Sequence, residues 1–319
     1  MAGVWLTRYA DILSDRLRLG KVWIGMILLG LVTSLPEAVA SLTAVISLGA
    51  NDLAIGNMFG SNNINILLIV VMDMIYRRAS VTDSVHATPS RTWPMVMVLG
   101  MTTLFAVEII LGRQWNLPEI AYLSPASLAV LVGYLVGMKY LAGISRADYV
   151  AAGSSAEPSA QEISVGMICL NLLLSASLVI AATVLLTKTS DQIALMTGLG
   201  RTWIGTMLLA LVTSLPEMVV TISALRLGSL DLAVGNIFGS NMINLFIISL
   251  SDFFYRPGVL LATIRPIHLL TCSVGLVMTL IVLAGIRFKK KSTWLSLGWD
   301  SWLLVITFLF GSTILFILR

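Results

Sequence analysis

The sequence predicts an all-α, polytopic membrane protein built from two copies of one helical unit that run in opposite directions. Three observations support this fold class. Hydrophobic residues make up 57% of the 319 residues and charged residues only 11%, whereas soluble domains carry roughly 25% charged residues. Apolar runs of about 20 residues, the length that crosses a bilayer, recur along the whole chain. Two long segments of the first half return almost unchanged in the second half.

The hydropathy pattern predicts nine membrane spans joined by short connections. Their starts are predicted near Val22, Leu53, Trp93, Ile120, Ile163, Trp203, Leu232, Pro266 and Trp294. The longest polar connection, at residues 146–162, is rich in Ala, Ser and Gly. It divides the chain into a first half at residues 1–145 and a second half at residues 163–319.

The basic residues predict the orientation. Fourteen of the 20 Lys and Arg residues fall on the side that holds the N-terminal segment and the 146–162 connection. Cytoplasmic loops of membrane proteins carry an excess of Lys and Arg, so this side is predicted to be cytoplasmic and the C-terminus to lie outside. A prokaryotic inner membrane is the expected location. The lipid bilayer is the expected partner, with neither a nucleic acid nor an obligate protein partner.

Two pairs of segments define an internal repeat. KVWIGMILLGLVTSLPE at residues 21–37 matches RTWIGTMLLALVTSLPE at residues 201–217. DLAIGNMFGSNNIN at residues 52–65 matches DLAVGNIFGSNMIN at residues 231–244. Each segment lies five predicted spans from its copy, and an odd number reverses its direction through the membrane. Inverted repeats of this kind place a substrate site at their interface, near the bilayer midplane and on interrupted helices.

The T-S-L-P-E segments supply both the interruption and a charge. A proline in a helix interior costs roughly 3 kcal/mol and frees backbone carbonyls, which are tolerated at membrane depth only where they line a cavity or are buried in protein. Glu37 and Glu217 follow these prolines inside apolar runs. A charged side chain at the bilayer centre costs about 2.5–3.5 kcal/mol and marks a functional candidate.

Neutral oxygens accompany the two glutamates. Ser61 and Asn65 are four residues apart and therefore share a helix face, as do Ser240 and Asn244. The candidate ion ligands are Glu37, Glu217, Thr33, Thr213, Ser34, Ser214, Ser61, Ser240, Asn65 and Asn244. All-oxygen sites suit hard cations such as Ca²⁺ and Na⁺, and Mg²⁺ less well because it retains its water. Two carboxylates balance one divalent ion, two monovalent ions or two protons.

Structural roles are the alternative for several of these residues. The serines could pack helices together, the asparagines could form interhelical hydrogen bonds, and a glutamate could cap a broken helix. Asn62 and Asn241 lie on another helix face and are expected to be structural. Glu108 has no counterpart in the second half and is expected at the headgroup level.

Other repeated residues are expected to serve the packing. Aspartates that recur at the span ends are expected to be caps or interfacial charges; they are Asp52, Asp73, Asp231 and Asp252. Glycines four residues apart are expected to let neighbouring helices approach closely; they are Gly56, Gly60, Gly235 and Gly239.

The paired TSLPE and GNxxGSNxxN elements resemble the alpha-repeats of the cation/calcium exchanger superfamily, and look most like its prokaryotic sodium/calcium exchanger branch. The resemblance covers nearly the whole chain. It implies a ten-helix antiporter that exchanges Ca²⁺ for Na⁺ or H⁺ by alternating access, with no resident cofactor. It also implies that Glu37 and Glu217 are the principal cation ligands and that the hydroxyl and amide residues named above line the ion sites.

One departure from the family concerns the coupling ion. Several sodium-coupled relatives carry an aspartate at the position of Asn244, whereas both copies of the repeat carry Asn here. The site then holds two carboxylates instead of three. Three Na⁺ ions against two negative charges leave an excess charge in a low-dielectric site, which is unfavourable. This departure weakens the case for three-to-one sodium coupling and favours proton coupling.

A second departure concerns the number of spans, nine instead of ten. Residues 4–11 (VWLTRYAD) align with residues 184–191 (VLLTKTSD), the end of the helix that opens the second repeat. We therefore expect that the chain begins inside what would be its first span, as a fragment or from a misplaced start. The alternative is a genuine nine-span protein with an incomplete first repeat.

A cation channel and a membrane enzyme are the alternatives to an antiporter. A cation channel could use the same oxygens but would need a continuous pathway. A membrane hydrolase would need a nucleophile and a base, yet neither G-x-S-x-G nor H-E-x-x-H occurs in the sequence. The protein is therefore not expected to be an enzyme.

Overall fold

The computed structural model describes Thr7, Ala10 and residues 20–76, 80–85, 87–112, 123–151, 165–288, 293–294 and 297–318. The helices of these ranges are α1 Lys21–Thr33, α2 Leu35–Ser47, α3 Asn51–Tyr76, α4 Val81–Ser84, α5 Pro89–Leu111, α6 Pro125–Ala151, α7 Val165–Thr197, α8 Arg201–Thr213, α9 Leu215–Arg226, α10 Leu230–Phe254, α11 Leu260–Thr263, α12 His268–Arg287 and α13 Trp299–Ile317. Two-residue strands, β1 Thr293–Trp294 and β2 Leu297–Gly298, pair in antiparallel fashion.

The predicted all-α membrane fold is confirmed. Among the described residues, six helices are long and apolar enough to cross a membrane, namely α3, α5, α6, α10, α12 and α13, and the bent pairs α1–α2 and α8–α9 bring the number to eight. The 33-residue helix α7 begins at Val165, where the fifth span was predicted near Ile163. Helix α6 continues to Ala151, into the predicted connection, of which residues 152–162 lie outside the described residues. So do residues 4–11, apart from Thr7 and Ala10.

Both T-S-L-P-E segments break their helices in the same way. Helices α1 and α2 meet at 44°, and α8 and α9 meet at 43°. The break falls at Ser34 (φ −84°, ψ 7°) and at Ser214 (φ −83°, ψ 5°). Pro36 and Pro216 lie in the first turn of the second half-helix, where a backbone N–H has no intrahelical partner and its absence costs little. Each proline therefore lies at the start of the second half-helix, immediately after the first half-helix ends.

Hydrogen bonds show that α2 and α3 run antiparallel. Ser61 Oγ of α3 donates to Glu37 Oε1, near the start of α2, at 3.4 Å. Ser41 Oγ, one turn further along α2, donates to the carbonyl of Ala54 at 3.3 Å. The residues of α3 in contact with α2 decrease in number as those of α2 increase, so the two helices run in opposite directions.

Close contacts show in turn that α1 and α10 run parallel. A Cβ atom on Gly25 would lie 2.7 Å from the carbonyl oxygen of Leu232, and one on Gly30 would lie 3.0 Å from the amide nitrogen of Ser240. Because α1 and α2 form one bent span, α3 must run antiparallel to its copy α10. The two repeats are inverted, as the odd number of spans predicts.

Helices α3 and α10 form the centre of the molecule. In their most apolar stretches 78% and 94% of the residues are buried, against 22% in α6, so α6 has a largely exposed surface for lipid. The predicted glycine faces are confirmed: Gly56 and Gly60 contact the backbone of α8, and Gly235 and Gly239 contact the backbone of α1. Each central helix therefore packs most closely against the broken span of the other repeat.

Two of the four recurring aspartates are caps. Asp73, near the end of α3, accepts a hydrogen bond from the amide of Val81 at 2.6 Å. Asp252, near the end of α10, accepts one from the amide of Leu260 at 2.8 Å. Each carboxylate thus ties the end of a central helix to the short helix that follows it, α4 or α11.

The other two aspartates contact basic side chains at the starts of neighbouring helices. Asp231 binds the Arg91 guanidinium through both oxygens, at 2.7 and 2.8 Å. Asp52 lies 3.1 Å from Nε2 of His268. The two pairs occupy corresponding places at the starts of α10 and α3, so the ends of the central helices are anchored in similar ways.

Glu108, expected at the headgroup level, lies near the end of α5, and its side chain is buried inside the protein. Its side chain is only 4% exposed, and Oε2 accepts a hydrogen bond from the backbone amide of Ala126 at 2.7 Å. The amide belongs to the first turn of α6, where unpaired N–H groups and the helix dipole favour a carboxylate. Glu108 is therefore a buried cap, and a single sequence could not show which helix start would lie beside it.

Candidate ion-binding site

The helix breaks place the two glutamates deep inside the molecule. Glu37 and Glu217 occupy the first turns of α2 and α9, and neither side chain has any exposed surface. A helix N-terminus presents unpaired N–H groups and a positive dipole end. The break after each T-S pair therefore turns the start of a new half-helix, with its carboxylate, towards the protein interior.

Each glutamate accepts a hydrogen bond from a serine of the opposite repeat. Ser34 Oγ donates to Glu217 Oε1 at 3.2 Å, and Ser214 Oγ donates to Glu37 Oε1 at 3.2 Å. The two contacts are equal in length and related by the repeat symmetry. The T-S-L-P-E segments of the two repeats therefore contact each other.

The threonines and the central-helix serines complete this cluster. Thr33 Oγ1 lies 3.2 Å from Ser240 Oγ, and Thr213 Oγ1 lies 3.5 Å from Ser61 Oγ. Ser61 also donates to Glu37. Eight of the ten predicted ligands thus form two equivalent hydrogen-bonded groups, one around each glutamate, and each group takes two residues from either repeat.

The remaining two candidates, Asn65 and Asn244, lie one helical turn beyond Ser61 and Ser240. Asn65 Nδ2 donates to Asn241 Oδ1 at 3.1 Å, and Asn244 Nδ2 donates to Asn62 Oδ1 at 3.0 Å. The interhelical hydrogen bonds that were the structural alternative for these asparagines therefore exist. They involve only the amide nitrogen, which leaves the amide oxygen for another role.

Among the ten predicted ligands, four buried oxygens have no hydrogen-bond partner in the described part of the chain. They are Glu37 Oε2, Glu217 Oε2, Asn65 Oδ1 and Asn244 Oδ1, again two from each repeat. Within the described part of the chain, neither glutamate forms a salt bridge. Burying an unpaired charge is costly, and a cation bound beside these acceptors would satisfy them.

Sequence reasoning missed two residues of this region, Asn57 and Asn236. Thr213 Oγ1 donates to Asn57 Oδ1 at 3.1 Å, and Thr33 Oγ1 donates to Asn236 Oδ1 at 3.4 Å. Both asparagines are fully buried and hold a threonine of the opposite repeat. The available signal was their identity at equivalent places in the repeated G-N-x-x-G-S-N motif.

The chemistry of the region is that of a hard-cation site. Its side chains offer carboxylate, hydroxyl and amide oxygens, which Ca²⁺ and Na⁺ accept and which soft metals do not prefer. Among the described residues, no three His, Cys, Asp or Glu side chains come together as a metal cluster. A cation here would rely on two carboxylates and a majority of neutral oxygens.

The fold and this oxygen-lined centre define an inverted-repeat membrane transporter. The sequence profile of the family described as sodium/calcium exchanger protein matches residues 1–140 and 167–319. The chain belongs to this family of exchangers.

Individual relatives agree with that assignment. The chain is 30% identical over 251 residues to the inner membrane protein YrbG of Escherichia coli, which covers 78% of this chain and 74% of the relative. It is 28% identical over 257 residues to the putative antiporter CaxA of Alkalimonas amylolytica, covering 79% and 75%. Among solved structures, the sodium-calcium exchanger NCX_Mj superposes with a TM-score of 0.66 at 19% identity, over 98% of this chain and 93% of the other. This last likeness concerns the fold.

Proposed function

We propose that the protein is a secondary active antiporter that exchanges Ca²⁺ for Na⁺ or H⁺ by alternating access. The observation that carries this proposal is the set of four fully buried, unpartnered oxygens on Glu37, Glu217, Asn65 and Asn244. The ten predicted ligands are proposed to line the cation sites. The name of the relative CaxA describes a putative antiporter, which supports the same class of activity.

Glu37 and Glu217 are proposed to bind one Ca²⁺ jointly, because their two charges balance it. Ca²⁺ takes 6–8 oxygens in a flexible arrangement, and the neighbouring hydroxyl and amide oxygens can supply the rest. The counter-ion is proposed to occupy overlapping positions and to compete for the same carboxylates. Exchange follows because the two carboxylates cannot bind Ca²⁺ and the counter-ion at the same time.

The identity of the counter-ion is the finer part of the proposal. Asn65 and Asn244 are neutral, so three Na⁺ ions would leave one positive charge unbalanced in a buried site. Two protons, in contrast, neutralise two carboxylates completely. A Ca²⁺/H⁺ exchanger is therefore the alternative that the residues support, and a Na⁺/Ca²⁺ exchanger is the one that the family description supports.

A cation channel could use the same oxygens and is the rival class. The inverted repeats and the two bent spans of equal angle support a transporter, because two equivalent half-structures can exchange roles across a membrane. The transported ions are the substrates, and no resident cofactor is proposed. The proposed setting is a prokaryotic inner membrane, with the C-terminus outside and no obligate protein or nucleic-acid partner.

Ca²⁺ flux in proteoliposomes tests the proposal. The full chain is reconstituted, and uptake is measured first under an imposed Na⁺ gradient and then under an imposed H⁺ gradient. We expect uptake under at least one gradient and its loss in Glu37→Gln and in Glu217→Gln, since each change removes half of the charge that binds Ca²⁺.

The pattern of flux separates the alternatives. Uptake driven by Na⁺ identifies a sodium/calcium exchanger in spite of Asn244, and uptake driven only by H⁺ identifies a calcium/proton exchanger. Ca²⁺ flux that needs no counter-ion identifies a channel. A folded protein that moves no Ca²⁺ under any of these conditions contradicts the proposed function.

A further inference from the structure

Asn62 and Asn241 join the two central helices where α3 and α10 cross. Asn62 Nδ2 donates to the backbone carbonyl of Asn241 at 3.3 Å, and Asn241 Nδ2 donates to the backbone carbonyl of Asn62 at 3.2 Å. Both side chains are buried, at 5% and 0% exposure. Each amide nitrogen is therefore held on the opposite helix, and this fixes the direction of the amide oxygen of the same side chain.

Those fixed oxygens bind the predicted ligands of the opposite repeat. Asn62 Oδ1 accepts a hydrogen bond from Asn244 Nδ2, and Asn241 Oδ1 accepts one from Asn65 Nδ2. Four asparagines thus form a set of four hydrogen bonds across the helix crossing. We call these residues, Asn62, Asn65, Asn241 and Asn244, the asparagine clamp.

The clamp decides which end of an amide faces the cation. A carboxamide carries two N–H donors and one carbonyl acceptor, and only the oxygen can bind a cation. In both Asn65 and Asn244 the nitrogen is taken by the clamp, whereas the oxygen has no partner. An amide turned the other way would present N–H groups and repel a positive ion.

We propose that Asn62 and Asn241 are positioning residues that hold Asn244 and Asn65 with their oxygens towards the transported cation. This inference rests on the proposed function, since it takes Asn65 and Asn244 as ligands. Each ligand is held by the other repeat, so the two halves of the site form together. The clamp is complete only while α3 and α10 cross at these residues.

Ca²⁺ binding to the purified full chain, measured by isothermal titration calorimetry in detergent, tests this role. Asn62→Leu removes both polar groups with little change in volume and is expected to weaken Ca²⁺ binding about tenfold. Asn244→Leu, which removes the ligand itself, is expected to do the same. If Asn62 acts through Asn244, the double variant is also about tenfold weaker, whereas independent effects would multiply to about a hundredfold.

A neighbouring asparagine provides a matched control. Asn63 is buried beside Asn62, and its Nδ2 donates to the backbone carbonyl of Thr271 at 3.2 Å. It is therefore also an interhelical hydrogen-bonding residue, but it holds no candidate ligand. Met242 occupies the corresponding position in the other repeat, so Asn63→Met is a replacement that the repeat already accommodates. Its Ca²⁺ affinity is expected to stay within twofold of the unmodified protein.

The outcomes distinguish the two proposals. Wild-type protein that binds no Ca²⁺ contradicts the proposed function and with it the clamp. Wild-type protein that binds Ca²⁺, together with multiplicative effects of Asn62→Leu and Asn244→Leu or an equal loss in Asn63→Met, contradicts the clamp alone. If Asn62→Leu does not fold, as judged by its melting temperature, the symmetric pair Asn241→Leu and Asn65→Leu makes the same comparison.

Discussion

At the scale of the residue, each repeat supplies hydrogen-bond donors to the glutamate of the other repeat. The hydroxyl of Ser34 serves Glu217, and that of Ser214 serves Glu37, at the same distance. Asn57 and Asn236 hold the threonines of the opposite repeat in the same reciprocal way. Within the described residues, the two buried carboxylates have no cationic partner and are surrounded by neutral hydroxyl and amide groups. A positive ion can supply the missing charge.

This symmetry predicts that Ser34→Ala and Ser214→Ala have similar effects. Each change removes a hydrogen bond to a charged group, a contribution of about 1.5–3 kcal/mol. We therefore expect Ca²⁺ affinity to fall by about tenfold or more in both variants. Ca²⁺ titration of the purified variants measures the effect. Ser223→Ala is the control, because Ser223 Oγ donates within its own helix to Val219 at 2.7 Å. A large loss in only one of the two variants would contradict the reciprocal role.

At the scale of the element, the broken spans lie against the central helices with almost no side chain between them. A Cβ atom on Gly235 would lie 2.5 Å from the carbonyl oxygen of Val22, and one on Gly205 would lie 2.5 Å from that of Leu53. Such contacts are possible only where a helix carries glycine. The backbone of each broken span is held at the distance that lets T-S-L-P-E reach the central serines.

Alanine at these glycines is expected to destabilise the protein. In Gly60→Ala the new methyl group would overlap the backbone of Thr206, and in Gly239→Ala that of Met26. Overpacking of this kind costs typically about 1–3 kcal/mol, so the melting temperature in detergent should fall by several degrees.

Two other helical glycines are matched controls for this experiment. For Gly100 in α5 and Gly133 in α6, no heavy atom of the described residues outside the local helix backbone lies within 4 Å of an added Cβ. Gly100→Ala and Gly133→Ala should leave the melting temperature unchanged or raise it slightly, because alanine favours the helix by about 1 kcal/mol over glycine. Equal losses at all four positions would show that packing against the broken spans is not the cause.

At the scale of the whole molecule, the two repeats form one inverted structure around one centre. The parallel contact of α1 with α10 and the antiparallel contact of α2 with α3 fix the relative direction of the repeats. The absolute orientation in the membrane rests on the Lys and Arg distribution. That distribution predicts that the 146–162 connection lies in the cytoplasm and that the C-terminus lies outside.

Reporter fusions in a bacterial host test this orientation. Alkaline phosphatase fused to the C-terminus should be active, because the enzyme folds only outside the cytoplasm, and green fluorescent protein at the same place should be dark. Both reporters inserted within residues 146–162 should give the reverse result. The opposite pattern at both places would invert the predicted topology.

The sequence by itself determined the class of fold, the repeat and ten candidate ligands. Apolar runs reveal spans because a bilayer demands about 20 apolar residues, and a duplicated T-S-L-P-E is visible without any structure. Helix α3 and its copy α10 begin within two residues of the predicted starts. Local chemistry sufficed for these features because each depends on residues that are close together in the chain.

Only the tertiary structure decided how the ligands are held. Ser34 and Glu217 are 183 residues apart, and Asn62 and Asn244 are 182 residues apart, so no local pattern joins them. The burial of Glu108, the roles of Asn57 and Asn236, and the free amide oxygens of Asn65 and Asn244 all depend on which helices cross and where. A hydrogen bond is set by the distance between atoms, and for these pairs helix packing alone sets that distance.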